Sequence, residues 1–195
     1  AAHVNMAEIE RAKRKPTENL GAYDIYLRGV ANVHKGSREA NEEALHLFYQ
    51  AIKFDPEFPA PYAAAANCLC HRKGFGWIID RDQEIGEVRR LARQVMQLGR
   101  SNATALSLVG YALAYVAREL DDGVALNDRA LVLNPNLAFS WGVSGWTRLW
   151  LGETDLAIEH LAHAMRLSPV DPTMFWLQEG TAHAHFFAGR YDEAL

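Results

Sequence analysis

The chain lacks most of the features that carry catalysis or membrane insertion, and each absence removes a class of protein. It holds only two cysteines, Cys68 and Cys70, two positions apart in an alanine-rich stretch. On a helix that spacing turns the thiols to different sides, so they do not bridge, and no second ligand pair stands elsewhere to complete a zinc site. The longest apolar run, Ala105 to Ala117, is interrupted by Ser107 and Gly110 and is too short to span a bilayer. The N-terminus is polar and leads into Glu8-Ile9-Glu10-Arg11-Ala12-Lys13-Arg14-Lys15, unlike a secretory leader. Free thiols without a leader predict a cytoplasmic protein with no membrane partner. Lys73-Gly74-Phe75-Gly76 has neither a preceding strand nor a following Lys-Ser/Thr, so it is no phosphate loop, and no Gly-x-Ser-x-Gly elbow occurs. No segment alternates with period two over a strand's length, so no sheet is expected.

Charge of either sign is also modest. The net charge is −4, which calls for neither nucleic acid nor an anionic membrane as a partner. It is uneven: the first hundred residues carry 15 Lys/Arg against 13 Asp/Glu, and the remainder 5 against 11, which bears only on how neighbouring parts dock.

What the chain does have is an internal period. Ala130-Leu131-Val132-Leu133-Asn134-Pro135 overlies Ala164-Met165-Arg166-Leu167-Ser168-Pro169 at an offset of 34, and Trp141 overlies Phe175 at the same offset. Ala51-Ile52-Lys53-Phe54-Asp55-Pro56 has the same shape, and Val95 to Arg100 is a degenerate copy. The intervals between these ends are 44, 35 and 34, and the excess in the first falls at His71 to Asp80. Each unit reads as two helices. Small residues in the first (Ala66, Gly110, Gly145) and in the second (Ala44, Ala157, Ala164) mark close approach, with large apolar residues three or four positions away. Asp55-Pro56, Asn134-Pro135 and Ser168-Pro169 end second helices. Asp171-Pro172 reads as an N-cap with proline at the first helical position, and Asp80 with Gln83 as a capping box.

Trp141-x-x-x-Gly145, Ala157, Leu161, Ala164 and Pro169 resemble the tetratricopeptide-repeat signature at its usual spacings. The resemblance runs from about residue 21 to the end, and Arg100 departs from it where the terminal proline of the second unit belongs. It implies an all-α, right-handed superhelical solenoid of antiparallel helix pairs, about ten helices. Residues 1–20 would form an N-terminal linker or helix. Residues 21–195 would form four units and a truncated fifth, opening near Gln178 and cut in its second helix at Tyr191-Asp192-Glu193-Ala194-Leu195. Such a stack would lack its cap, so the chain reads as part of a longer protein. The segment from Glu8 to Gly29 resembles the junction before the repeats of certain bacterial signalling proteins. These carry a class III adenylyl or guanylyl cyclase domain, or a winged-helix DNA-binding domain, upstream. Catalysis or DNA reading would then lie outside this chain, which is expected not to be an enzyme.

Histidines and arginines offer weaker chemistry. His160 and His163 are i, i+3 and His183 and His185 are i, i+2, but no carboxylate stands at the step a third metal ligand needs. Packing or surface roles are expected, with no metal and no cofactor. Arg89, Arg90 and Arg93, with Arg72 and Lys73 nearby, read as a solvated helix face.

The resemblance also implies where a ligand would lie, since first helices line the concave face in that family. The positions carried across are Tyr26, Asn67, Tyr111, Tyr115, Trp146, Trp150, His183 and Phe187. Tyr111/Tyr115 and Trp146/Trp150 are i, i+4 pairs sharing a helix face. Family members that clamp a C-terminal carboxylate use Lys, Arg and Asn there; this chain offers Tyr26, Ala63, Asn67, Thr104 and Leu108. The expected partner is an apolar or aromatic protein segment, from another protein or from the same chain. The competing expectation is a homodimer that buries the same rings between two copies.

Overall fold

The computed structural model describes residues 19–170 and 174–195, so the segment before residue 19 and the Asp171-Pro172 cap lie outside the described residues. Nine α-helices and no strand occur among the described residues. They are α1 (Leu20–Val33), α2 (Arg38–Phe54), α3 (Pro59–Gly74), α4 (Arg81–Leu98), α5 (Ala103–Ala112), α6 (Leu120–Leu133), α7 (Ala138–Trp150), α8 (Thr154–Leu167) and α9 (Met174–Phe187). A π turn, Leu113–Ala117, prolongs α5.

Local chemistry sets the boundaries. Asn19, Ser37, Asp80 and Asn102 each accept the N–H three residues on, at 3.0–3.2 Å, and open α1, α2, α4 and α5. Asp55, Asn134 and Ser168 leave the helical conformation just before Pro56, Pro135 and Pro169, which ends α2, α6 and α8. After α9 the chain makes a turn closed by Ala194 N–H donating to the Tyr191 carbonyl.

The helices pack as antiparallel pairs: α1 on α2, α3 on α4, α5 on α6, α7 on α8. The first helices also touch in succession, α1 on α3, α3 on α5, α5 on α7 and α7 on α9, and form an inner layer. Glycine permits the closest approach. A Cβ on Gly145 would sit 2.5 Å from Leu161 Cγ, and one on Gly110 would sit 2.9 Å from the Gly123 carbonyl oxygen. The interval from Gly110 to Gly123 is one residue longer than that from Gly145 to Ala157. The π turn absorbs that residue and keeps the α5 and α6 faces in register. Arg118 closes it with φ at +63°, a left-handed conformation uncommon for residues other than glycine.

The buried apolar residues fall into two clusters. One spans α2 to α6 and is built mostly of alanine, leucine and valine, from Ala44 and Phe48 through Leu91 and Val109 to Ala130. The other spans α7 to α9 and centres on Trp146, Leu161 and Leu177. A buried polar seam lies between them. Ser107 Oγ donates to Asn127 Oδ1 at 2.7 Å, and Asn127 Nδ2 donates to the Ser140 carbonyl at 3.0 Å. Counting back from the proline, Asn127 occupies the position that Phe48 and Leu161 fill in their units.

Candidate functional site: an aromatic face on the inner helices

The inner layer carries a connected surface of rings from α5, its π turn, α7 and α9. Tyr111 and Tyr115 stack with centroids 5.4 Å apart and planes 8° from parallel. Trp150 stacks on both, at 6.0 Å from Tyr111 and 5.4 Å from Tyr115. Trp146 lies 5.9 Å from Trp150 and 5.9 Å from Trp176, and His183 meets Trp146 edge-on at 5.8 Å. Phe187 continues the row at 6.5 Å from His183. Offset and edge-on pairs of this kind add about 0.5–1.5 kcal/mol each beyond area burial, so the face is preorganised. Tyr115 sits within the π turn, so the extra residue of that unit sets where its ring stands. Lys73, at the end of α3, donates its ammonium to the Tyr115 carbonyl and lies 4.6 Å from the centre of the same ring. That carbonyl belongs to the last turn, where no backbone donor follows. Burial, with Arg118 and Arg81 nearby, holds the Lys73 ammonium below its ordinary pKa.

The expected site residues divide into three groups. Tyr115, Trp150, His183 and Phe187 keep ring surface accessible, Phe187 most of all at 68% exposed. Trp146 is 8% exposed: its indole lies where a Cβ on Gly180 would be, 2.9 Å from the ring, and Nε1 donates to the Trp176 carbonyl at 3.1 Å. It is therefore the wall behind the face, and Tyr111, half-buried beneath Trp150 and Trp176, is its neighbour. Burial raises the Tyr111 phenol well above its usual range. Tyr26 belongs elsewhere: it packs on Phe58 at 5.3 Å and on Phe48 at 5.9 Å in the first cluster. Asn67 is half-buried on α3.

Phe175, which the period of 34 sets under Trp141, is 68% exposed, while the neighbouring Trp176, not singled out in the sequence, packs against Phe139, Tyr111 and Trp146. The arginine face is solvated, with acidic partners for two of its side chains. Arg90 forms two bonds to Glu87 at 2.7 and 2.8 Å, and Arg89 meets Glu119 at 2.6 Å. His160 and His163 pack on Trp141 at 4.9 and 4.4 Å, and His160 Nδ1 is 2.8 Å from Ser144 Oγ. Among the described residues no group of three His, Cys, Asp or Glu side chains is arranged to hold a metal ion. No helix among them is long and apolar enough to cross a membrane.

Comparison with solved structures identifies the fold as that of tetratricopeptide-repeat proteins. A thermophilic TPR protein of Thermus thermophilus superposes with a TM-score of 0.66 at 21% identity, over 89% of this chain and 86% of that one. PilF of Pseudomonas aeruginosa superposes at 0.64 and 19% identity, over 91% of this chain and 74% of its own. YrrB, a TPR protein with an unusual peptide-binding site, superposes at 0.55 and 17% identity over the whole of this chain and 89% of YrrB. No family model matches the chain. By sequence it is similar to the transcriptional regulator HilA of Salmonella typhimurium, 26% identical over 145 residues. Those residues are 74% of this chain and 26% of HilA, so the chain spans about a quarter of that relative.

Proposed function

We propose that this chain is a binding module that receives a protein segment on the inner aromatic face, and that it has no catalytic role of its own. The observation that carries the reading is the row of accessible rings, Tyr115, Trp150, His183 and Phe187, backed by buried Trp146 and half-buried Trp176. Rigid aromatic anchors with apolar bodies and polar tips supply contact area at small entropic cost, which is what interface hot spots use. The surface suits an apolar or aromatic segment, in extended or helical form. The peptide-binding site of YrrB, which has this fold, supports the reading. The segment comes either from a partner or from the chain's own parent.

The similarity to HilA favours, between the two parents that the N-terminal junction suggests, a regulator of transcription in which these repeats are the assembly arm. The cyclase parent rests on the resemblance of the junction, half of which lies outside the described residues, and on the lengthened first helix of the second unit, ending in Gly76-Trp77.

Selection of 12-residue peptides against the immobilised chain, followed by fluorescence titration of those enriched, tests the binding reading. Enriched peptides should carry apolar or aromatic residues at every third or fourth position or at alternate positions. Trp150→Ala should weaken them about tenfold, the cost of one hot-spot ring. Unchanged affinity in Trp150→Ala, with binding abolished instead by substitutions on α2 or α4, would move the site elsewhere. Light scattering that rises with chain concentration and is lost in Trp150→Ala would assign the face to self-association.

A further inference from the structure

The aromatic face ends, beside α3, in positive charge that the fold leaves unanswered. Both α3 and α4 touch the π turn. Three cations meet there: Lys73 in the last turn of α3, Arg81 at the first position of α4, and Arg118 directly after the π turn. Arg81 and Arg118 are exposed, and among the described residues none of the three forms an ion pair. Of the neighbouring carboxylates, Glu119 is held by Arg89, Asp80 caps α4 at the Gln83 N–H, and Asp82 bonds to none of the three.

Lys73 is fixed in place by its bond to the Tyr115 carbonyl and by the Tyr115 ring, and its ammonium keeps two further N–H donors. Arg118 stands at φ +63°, where glycine is the usual residue after a helix. Its side chain nevertheless stays at the surface and makes no bond within the described residues. A residue that strains the backbone and bonds to nothing in the folded chain points to a use outside it. The same charge reaches the rings. Burial and then Cys70 raise the Tyr115 phenol, Arg118 opposes them, and Glu179 of α9 adds to them. The face therefore has a cationic end at α3 and the π turn, and an exposed carboxylate, Glu179, at α9.

We infer that Lys73 and Arg118, with Arg81 adding to their potential, form a carboxylate subsite continuous with the aromatic face, so that the segment received there carries an acidic group beside the side chain that stacks on Tyr115 and Trp150. The inference rests on the binding reading above and adds the partner's charge and direction. A guanidinium takes a carboxylate through two parallel bonds, and an ammonium takes it as a point charge. None of the three cations stands at Tyr26, Ala63, Asn67, Thr104 or Leu108, where clamping members of the fold family hold a C-terminus. Two sources share the chemistry, an Asp or Glu side chain within the segment and the free carboxylate at its end.

Random peptides selected in parallel on the 195-residue chain and on its Arg118→Gly variant test it, once with amidated and once with free C-termini. Glycine suits the left-handed backbone at 118, so the substitution removes the guanidinium and keeps the turn. The unsubstituted chain should enrich an acidic group next to aromatic or apolar residues, and the variant should not. An enriched peptide should bind Arg118→Gly about tenfold more weakly, and its affinity for the unsubstituted chain should fall at higher salt. Neutralising the peptide's acidic group should cost the unsubstituted chain about as much and the variant little, since the two changes remove one interaction. Lys73→Met, which keeps an unbranched stem beside Tyr115, should behave as Arg118→Gly does. Acid dependence among amidated peptides assigns the group to a side chain, and acid dependence among free C-termini alone assigns it to the chain end. No acidic enrichment would overturn the subsite. So would equal affinity of Arg118→Gly and the unsubstituted chain where Trp150→Ala weakens binding, and the binding reading would then still stand. Binding that neither Arg118→Gly nor Trp150→Ala weakens, or no enriched peptide at all, would overturn both.

Discussion

The two halves of the solenoid solve the same packing problem with different side chains. Through α6, helices close on one another over alanine, leucine and valine, with Phe48 and Tyr62 buried among them. From α7 onward alanine gives way to tryptophan: four of the five, Trp141, Trp146, Trp150 and Trp176, lie there. Small side chains bring backbones together and leave little surface to offer. Indoles are too large to be hidden by three helices, so some ring area stays at the surface and becomes available to a partner. The seam of Ser107, Asn127 and the Ser140 carbonyl separates the two apolar clusters. A stack whose units touch only their neighbours transmits stability locally, and a polar seam lowers that coupling further.

The cysteines and tryptophans make the comparison measurable. Cys68 and Cys70 are buried free thiols of the first cluster, and burial pushes the Cys68 thiol up to about 12. Thiol labelling therefore reports opening of the first half, and tryptophan fluorescence reports chiefly the second. The largest expected effects come from truncating fully buried residues. Phe48→Ala should cost about 3–5 kcal/mol and Leu161→Ala about 2–5 kcal/mol. In urea, Phe48→Ala should advance thiol labelling more than the fluorescence transition, and Leu161→Ala the reverse. Equal shifts of both signals in both variants would mean one cooperative unit. Asn127→Ala should cost about 1–3 kcal/mol by stranding the Ser107 hydroxyl. Adding Ser107→Ala should return part of that loss, read from the urea midpoint. Gly145→Ala forces a Cβ onto Leu161 and should cost about 1–3 kcal/mol, seen in the fluorescence transition.

A smaller difference concerns pH. Burial first, and then His34 for His71 and Arg148 for His160, hold both imidazoles below the ordinary value of 6.5. The unfolded chain then binds more protons than the folded one just below that pH. The stability contributed by neutral His71 and His160 is complete above 6.5 and falls as the pH drops through the lowered folded values. His71→Gln should flatten the pH dependence of thiol labelling and His160→Gln that of fluorescence, each leaving the other signal unchanged. Trp150→Ala should cost about 1–3 kcal/mol in the fluorescence transition, because its half-buried ring stacks on Tyr111 and Tyr115 and meets Trp146.

Much of this architecture was legible because helix ends and close contacts are written locally. Proline after Asp55, Asn134 and Ser168 can only end a helix, and Gly145 with Ala157 and Leu161 announces a helix crossing from spacing alone. Register across units was less legible. A period of 34 places Phe175 under Trp141, yet Phe175 is exposed and the adjacent Trp176 packs on Tyr111 and Trp146, since one step along a helix rotates a side chain by about 100°. For the same reason the insertion between Gly110 and Gly123 carried no sign of a π turn. The burial of Trp146 depends on Gly180 receiving its indole, a contact whose partners lie 34 residues apart.

The measurement closest to the central claim is hydrogen–deuterium exchange of the chain with and without a peptide selected against it. The account predicts slowed exchange in the last turns of α5 and its π turn, in α7 and in α9, with α1 and α2 unchanged. Protection concentrated on α1 to α3, around Tyr26 and Asn67, would contradict it and move the binding surface to the alanine-rich half.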